Sequence, residues 1–326
     1  MLVAALAMVL LAGCGGAAGG GARRAAATTT AASPAAAACP AQIRLAVQSR
    51  QVLGRGVGPL ALEGGTVWVA DPASGALVRA TASGHSAVQL GGTPISVAVG
   101  FGRVWVAERD AGRIVSVDPR SLAQLTSAGV PVPVRVLTGP IGVWGLSLDN
   151  ASLFQLDPVG GASVRHIDVP VIDPADMVAV GNELWVLGAG EGGLSPVNAV
   201  LGRIVRAGFD RPGQALSGLS VNATTIWLGE TTGRSLLRVD ARTGAVRQLP
   251  APGAIQPIAT APGACGLWVA DASGDLAIID PDTGRALGPL LHIGRSVAAL
   301  AASGTGVWVT DPIDGTLVRV DLAPGG

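Results

Sequence analysis

The segment GVWVTDPIDGTLVRVD at residues 306–321 is nearly repeated at residues 66–81 as TVWVADPASGALVRAT. Each copy places a Trp among apolar residues, follows it with an acidic turn that ends in Gly, and then continues with a second apolar run. Two short apolar runs around a Gly-containing turn are typical of a β-hairpin. Because the copies lie at opposite ends of the chain, the sequence indicates a fold built from repeated units.

The Trp residues of the chain all occupy this slot and recur every 37 to 42 residues. They are Trp68, Trp105, Trp144, Trp185, Trp227, Trp268 and Trp308. Each unit carries four short apolar segments separated by turn residues, without helical periodicity. Four strands in each of seven units predict an all-β fold, a seven-bladed β-propeller. One Trp in each blade is expected to fill the wedge between neighbouring sheets.

The last unit is one strand short. Only a third strand follows Trp308, whereas residues 43–54 (IRLAVQSRQVLG) precede the first unit and belong to none. We predict that residues 43–54 supply the outer strand of the seventh blade and close the ring, which removes an open sheet edge. The propeller domain is therefore assigned to residues 43–326.

The N-terminal residues MLVAALAMVLLAGCGG combine an apolar run with Cys14. The run is too short to span a bilayer as a helix. It resembles a bacterial lipoprotein signal, which implies that residues 1–13 are removed and that Cys14 receives lipid. An ordinary secretory signal or an uncleaved anchor is the alternative, and either would also place the domain outside the cytoplasm.

Residues 14–42 are almost all small, and we predict that they form a flexible tether. The expected location is the bacterial cell envelope, outside the cytoplasm, with the lipid on Cys14 holding the chain at the membrane. Such a compartment permits a disulfide between Cys39 and Cys265. The alternative is an unpaired tether cysteine and a buried thiol.

Charge and motif content argue against several classes of function. The 22 basic and 22 acidic residues give a net charge of zero, so we expect no nucleic-acid partner. The sequence contains no Gly-rich phosphate loop, no Cys–His zinc spacing and no nucleophile elbow.

The repeated unit, P-x-x-x-A-x-G…VWVA[DE]…G-x-[IL]-x-R-V-D, resembles the repeats of streptogramin B lyase (virginiamycin B lyase) and, more broadly, the YVTN and NHL-type propeller repeats of exported bacterial proteins. The resemblance covers residues 43–326 and implies the propeller fold. For lyase activity it implies a His directly after the Pro that opens an inner strand, nearby Glu residues and a divalent ion.

The residues that follow those prolines here are Leu60, Ile95, Val134, Ala175 and Ile258. His85, His166 and His292 are assigned to outer turns or outer strands, so the elimination chemistry lacks its base. A metal-dependent lactonase of the gluconolactonase type would need carboxylates and amides at the channel mouth, and the inner segments hold almost none. We therefore expect no catalytic residues and no cofactor, with a divalent metal as the alternative.

Five of the seven positions three residues after the Trp are acidic. They are Asp71, Glu108, Glu230, Asp271 and Asp311. An anionic ring that holds cations or basic ligands is one interpretation. The favoured interpretation is structural, with each carboxylate capping its own hairpin turn by accepting backbone N–H bonds.

Blades three and four break the repeat. They lack the acid and carry Arg135 and Asp176 where other blades have small residues, and blade four is predicted to have a long turn over residues 188–202 (GAGEGGLSPVNAVLG). Irregular loops on a regular scaffold are where function tends to lie. The candidate ligand-binding patch, expected on the face formed by the loops between blades, comprises Arg135, Asp149, Asp173, Asp176 and Glu191. The alternative is a local Arg135–Asp176 ion pair and an inert insertion.

Taken together, the sequence predicts a lipid-anchored, extracytoplasmic propeller that acts as a binding or scaffolding module for an unknown protein, envelope polymer or small ligand. A lyase-like or lactonase-like propeller enzyme with a divalent metal is the alternative.

Overall fold

A computed structural model describes residues 39–40, 42–189, 192–211 and 213–324. The predicted signal peptide, Cys14 and Glu191 lie outside the described residues. No helix in the described ranges is long and apolar enough to cross a membrane.

The chain folds into seven four-stranded antiparallel sheets, the blades of a propeller. Blade 1 contains β2 (Leu60–Glu63), β3 (Thr66–Asp71), β4 (Ala76–Thr81) and β5 (Gly84–Gln89). Blade 2 contains β6 (Pro94–Gly100), β7 (Arg103–Glu108), β8 (Arg113–Val117) and β9 (Gln124–Gly129). Blade 3 contains β10 (Pro133–Gly139), β11 (Gly142–Ser147), β12 (Ser152–Leu156) and β13 (Ser163–Asp168), with a 3₁₀ turn at Asp149–Ala151.

The remaining blades repeat this order. Blade 4 contains β14 (Pro174–Val180), β15 (Glu183–Gly188), β16 (Gly193–Asn198) and β17 (Arg203–Ile204). Blade 5 contains β18 (Leu216–Asn222), β19 (Thr225–Glu230), β20 (Ser235–Asp240) and β21 (Val246–Pro250). Blade 6 contains β22 (Ala259–Pro262), β23 (Leu267–Ala270), β24 (Asp275–Ile279) and β25 (Leu291–His292).

Blade 7 joins the two ends of the propeller domain. It contains β26 (Ala299–Ser303), β27 (Gly306–Asp311) and β28 (Thr316–Pro324), and its outer strand is β1 (Ile43–Val52). β1 runs antiparallel to β28, from the pair Ile43–Pro324 to the pair Val52–Thr316. The predicted fold and its closure by an N-terminal strand are therefore confirmed.

Successive strands run in opposite directions, so each blade presents its turns on two faces. The face that carries the second-to-third strand turns and the loops between blades is called the loop face. The opposite face, which carries the first-to-second and third-to-fourth strand turns, is called the tether face. Cys265 lies in a first-to-second strand turn and is joined by a disulfide to Cys39, with the two Cα atoms 5.5 Å apart.

The core lies between the blades. The second-strand Trp residues pack against branched aliphatic side chains of the adjoining sheet, and Trp68, Trp105 and Trp144 are at most 1% exposed. Both faces of each sheet are covered by a neighbouring blade. The second strands are therefore buried on both sides, which is why their sequences are continuous apolar runs.

Arginines on the tether face connect neighbouring blades. In blades 1 to 4 one arginine donates to a backbone carbonyl in the third-to-fourth strand turn of the next blade: Arg79 to Pro119 (3.0 Å), Arg103 to Val159 (2.8 Å), Arg165 to Ala199 (2.6 Å) and Arg206 to Arg242 (2.9 Å). Because those carbonyls lie in turns, outside the strand ladders, each arginine satisfies a backbone acceptor and links two neighbouring blades.

The prediction of a long turn over residues 188–202 is wrong, because that segment contains the third strand β16. β16 includes Gly193 and Pro196, so its sequence lacks the β-branched pattern of the other third strands. Pro196 has no N–H to offer a fourth strand, and β17 pairs only with the two residues beyond it, Val197 and Asn198. The irregular segment of blade 4 therefore follows β17.

Candidate functional site

The first strands of all seven blades surround a central channel, which holds a cavity of about 280 Å³ at its loop-face end. Most of the residues that line it are aliphatic, including Leu60, Ile95, Val134, Ala175, Leu219, Ile258 and Leu300, but most of the surface exposed to the cavity is polar. Thr260 also lines it, but the Thr260 hydroxyl donates to the backbone carbonyl of Gly218 and is therefore already used.

Arg135 and Asp176 are the charged residues among those that line this cavity. Arg135 Nε lies 3.0 Å from Asp176 Oδ1, and the two side chains are 33% and 25% exposed. The distance is that of an ion pair, although the N–H direction does not meet hydrogen-bond geometry and Nε is buried without another described partner. The pair crosses the boundary between blades 3 and 4.

Two prolines place this pair. Pro133 opens β10 and Pro174 opens β14, and in both strands the pairing register shifts directly after the proline. A β-bulge of this kind changes the direction of the side chains that follow it, and here these include Arg135 and Asp176. The residues before the prolines, Val132 and Asp173, have φ angles of +38° and +49°. Such backbone is costly for residues other than glycine and is found at functional sites.

Desolvation is the largest influence on the pKa of Asp176. Burial raises the pKa of Asp176 above the ordinary value of an aspartate, while the Arg135 charge and the backbone N–H of Met177 act in the opposite direction. A raised folded-state pKa means that the folded state binds a proton more readily than the unfolded chain. The contribution of Asp176 to stability is therefore fully present below its ordinary pKa and is lost as the pH rises through the folded value.

The structure brings together two of the five residues of the predicted patch. Asp149 and Asp173 are exposed on the loop face, and neither makes a side-chain hydrogen bond or ion pair to another described residue. Arg135 and Asp176 line the channel mouth at its loop-face end. The repeat position at which these two residues differ from the other blades is the start of the inner strand, which faces the propeller axis.

The acidic ring is buried, with the five carboxylates at most 6% exposed. Asp71, Asp271 and Asp311 accept backbone N–H groups from their own hairpin turns. The longer Glu108 instead accepts from Gly91 N and Gly92 N in the loop that enters its blade, and Glu230 accepts from the Gln248 amide. These carboxylates already accept hydrogen bonds from other groups of the protein, which fits the structural interpretation.

Other side chains with catalytic potential lie on the outer strands of their blades, whereas the channel is lined by the inner strands. His85, His166 and His292 belong to the outer strands β5, β13 and β25. His166 Nε2 contacts both Ser152 Oγ (3.1 Å) and Asp168 Oδ1 (3.0 Å). Because one ring nitrogen makes both contacts, the three residues are not arranged as a Ser-His-Asp relay. No three His, Cys, Asp or Glu side chains in the described ranges form a group that could hold a metal.

These features define a seven-bladed β-propeller with the Arg135–Asp176 ion pair among mostly aliphatic residues at the channel mouth. No protein-family model matches the chain, and no curated protein matches it. Among solved structures it is similar to virginiamycin B lyase from Staphylococcus aureus, with a TM-score of 0.74 and 16% identity over 86% of this chain and 100% of that one. A streptogramin B lyase structure gives a TM-score of 0.71 and 16% identity, over 86% of this chain and 98% of that one.

A third similar structure is hydrazine synthase from Kuenenia stuttgartiensis, with a TM-score of 0.71 and 14% identity over 83% of this chain and 96% of that chain. The chain is thus a streptogramin B lyase-like seven-bladed propeller in its fold. At these identities the likeness concerns architecture alone, and proteins of such different names share it.

The ion pair allows a first prediction. Replacing Arg135 or Asp176 alone with Ala leaves the other, partly buried charge without its partner, and we expect each change to lower the free energy of unfolding by about 1–2 kcal/mol. The double replacement removes both charges and should cost less than the sum of the two. Urea denaturation of the four proteins measures this coupling. Strictly additive losses would contradict the pairing.

Proposed function

We propose that this chain is an exported, membrane-tethered propeller that acts as a binding or scaffolding module, with its ligand held in the channel mouth at Arg135 and Asp176. The observation that carries the proposal is the position of this ion pair, which provides the charged side chains of a channel mouth lined otherwise by mostly aliphatic residues. Apolar pockets with a few converging polar groups are the usual form of a ligand site.

The cavity also limits what it can hold. A volume of about 280 Å³ is at the small end of the range for ligand pockets. It suits a small molecule, or one protruding group of a protein or envelope polymer. A fitting group has an apolar body and a polar end that accepts hydrogen bonds from Arg135 and donates one to Asp176.

Export and anchoring are supported by two features. The disulfide between Cys39 and Cys265 is of a kind that persists in oxidising compartments and is rare in the cytosol. The sequence before it resembles a lipoprotein signal with Cys14 as the lipidation site. Together they support a location at the bacterial cell envelope with the propeller outside the cytoplasm.

A ligand screen tests the binding proposal. Compounds that raise the melting temperature of the wild-type chain are retested on the double variant Arg135→Ala/Asp176→Ala and on a control, Arg247→Ala, whose side chain is exposed on the outer strand β21. We expect the stabilisation to persist in the control and to be lost in the double variant. Hits that stabilise all three proteins equally would refute the site.

The alternative function is a lyase-like or lactonase-like enzyme that uses a divalent ion. The fold likeness to virginiamycin B lyase favours it. Against it, the positions after the inner-strand prolines hold apolar side chains, and the ring carboxylates already accept protein hydrogen bonds.

A metal titration separates these two functions and provides a second prediction. We expect Mg²⁺, Ca²⁺ or Mn²⁺ at millimolar concentration to leave the melting temperature unchanged, because hard cations need several free oxygen ligands together. The measurement is a thermal-shift titration with EDTA as the reference. A saturable increase that disappears in Asp176→Asn would support the enzyme instead.

A further inference from the structure

The third-to-fourth strand turns on the tether face have the same construction in blades 2 to 6. In each, an Asp or Asn side chain accepts the backbone N–H groups of the residues two and three positions later, at 2.7 to 3.1 Å. The capping residues are Asp118, Asp157, Asn198, Asp240 and Asp280. Residues at matching positions of these turns therefore have equivalent places at the surface.

The side chains at those places differ between two sectors. Blades 2, 5 and 6 have polar tips: Arg120 and Ser121, Arg242 and Thr243, and Asp282 and Thr283. Blades 3 and 4 have apolar ones, and Val159, Val200 and Leu201 are 74%, 62% and 57% exposed. Exposed aliphatic side chains where the repeat otherwise places polar ones indicate a contact surface.

Phe101 adds an aromatic to this sector. It is the first residue of the two-residue turn between β6 and β7, is 51% exposed, and has a φ of +57°. The matching residues of blades 1, 4 and 7 are glycines with φ of 57° to 59°, namely Gly64, Gly181 and Gly304, and blade 5 has the small residue Ala223 at 52°. Glycine is the residue that adopts this conformation without strain. An exposed Phe in a strained turn indicates a role outside the fold.

The four side chains lie on consecutive blades that are connected to one another. Arg103, two residues after Phe101, donates to the Val159 carbonyl, and Arg165 donates to the carbonyl of Ala199, which precedes Val200. The set Phe101, Val159, Val200 and Leu201 is called the apolar tips. Guanidinium groups beside apolar tips suit an interface that has both acyl chains and anionic head groups.

The path of the chain indicates what covers this surface. Cys39 is bonded to Cys265 on the tether face, so the chain toward Cys14 leaves the propeller on the face that carries the apolar tips. Residues 15–38 separate the two cysteines, a distance of at most about 85 Å when fully extended. A tether of that reach keeps the tether face at a high effective concentration near the membrane.

We infer that the tether face docks on the lipid bilayer that holds the Cys14 anchor, with the apolar tips inserted among the head groups. This rests on the membrane attachment proposed above. Docking would hold the channel axis perpendicular to the membrane plane. It would turn the loop face, with Arg135 and Asp176, away from the lipid.

A site-specific label tests this docking in the full-length lipidated chain. The chain has three cysteines, and lipidation of Cys14 and the disulfide occupy all of them, so an introduced cysteine is the sole free thiol. Nitroxide labels are placed at Phe101→Cys or Val200→Cys, and at Ile313→Cys as a control on the loop face, 45% exposed in the wild type. The vesicles contain phosphatidylethanolamine and phosphatidylglycerol.

We expect the labels at positions 101 and 200 to lie about 5–10 Å below the lipid phosphates and the label at position 313 to remain in water. Val200→Cys leaves the turn of Phe101 intact, so a folding defect of one variant does not decide the result. If the chain floats with the vesicles but all three labels are aqueous, docking is refuted and the anchor stands. Labels protected only after a partner protein is added refute lipid docking as well. A chain that does not float refutes both.

Discussion

Trp105→Ala is expected to lower the free energy of unfolding by about 3–5 kcal/mol, the loss typical of a large aromatic ring removed from a packed core. Trp105 is 0% exposed and packs with Ile114, Val136 and Leu156 between two blades. Its indole N–H also donates to the Gly100 carbonyl at 3.2 Å. Removing the ring opens a cavity between two sheets, and the hydrogen-bonded ladders within each sheet limit how far the backbone can move to fill it.

Urea denaturation at neutral pH measures this loss, since the midpoint falls while the dependence on urea is unchanged. Leu125→Ala is the matched control, because Leu125 is 46% exposed on the outer strand β9 and should change stability by less than about 0.5 kcal/mol. If the Trp105 variant lost no more than this control, the wedge role of the Trp residues would be wrong.

Asp311→Asn is expected to cost about 2–3 kcal/mol at neutral pH. Asp311 is 1% exposed, and its carboxylate accepts four backbone N–H groups. Two come from the hairpin turn of blade 7 and two from the loop that enters this blade, at Arg295 and Ser296. The amide of Asn presents an N–H of its own to at least one of these donors, in the blade where the ring closes.

The cost should depend on pH. Burial raises the pKa of the Asp311 carboxyl, but the four backbone N–H groups outweigh it and hold the pKa below the ordinary value. A depressed folded-state pKa contributes stability above the unfolded value, near 3.9, and that contribution is lost as the pH falls through the folded value. The difference between wild type and Asp311→Asn should therefore shrink in acid.

Denaturation at pH 7 and near pH 3 measures this dependence. Asp149→Asn is the control, because Asp149 is exposed and should have little effect at either pH. A cost that stays the same at both pH values would show that Asp311 acts by shape rather than by charge.

The fold could be predicted because its signal is periodic. Seven Trp residues in one slot, and an unassigned strand before the first unit, specify the blade number and the closure, and Ile43–Val52 pairs with β28 accordingly. The third strand of blade 4 is harder to predict, because Gly193 and Pro196 are unfavourable in a strand and its position is determined by the neighbouring strands. The sequence allows Cys39 to pair with Cys265 but does not require it. Pairing depends on whether a turn of blade 6 lies next to the chain that precedes β1.

The candidate site was found in part for a related reason. Arg135 and Asp176 stand out against Ala61, Ser96 and Ala259 in the same repeat slot, so their departure from the pattern is visible in the sequence. Their position in the channel mouth is set by β-bulges after two prolines and by the curvature of the ring. These features depend on the folded ring, so the sequence predicts the loop face for the pair but not the channel mouth within it. Only their position in the loops associates Asp149 and Asp173 with this pair in the sequence.

The most direct test of the central proposal is a crystal structure of the chain with a ligand whose stabilising effect requires Arg135 and Asp176. We predict that the ligand occupies the channel mouth at the loop face, with its polar end within hydrogen-bond distance of both side chains and its apolar body against Ile95 and Ile258. A ligand bound at another surface, with the Arg135–Asp176 pair untouched and the channel mouth holding only water, would contradict the proposal.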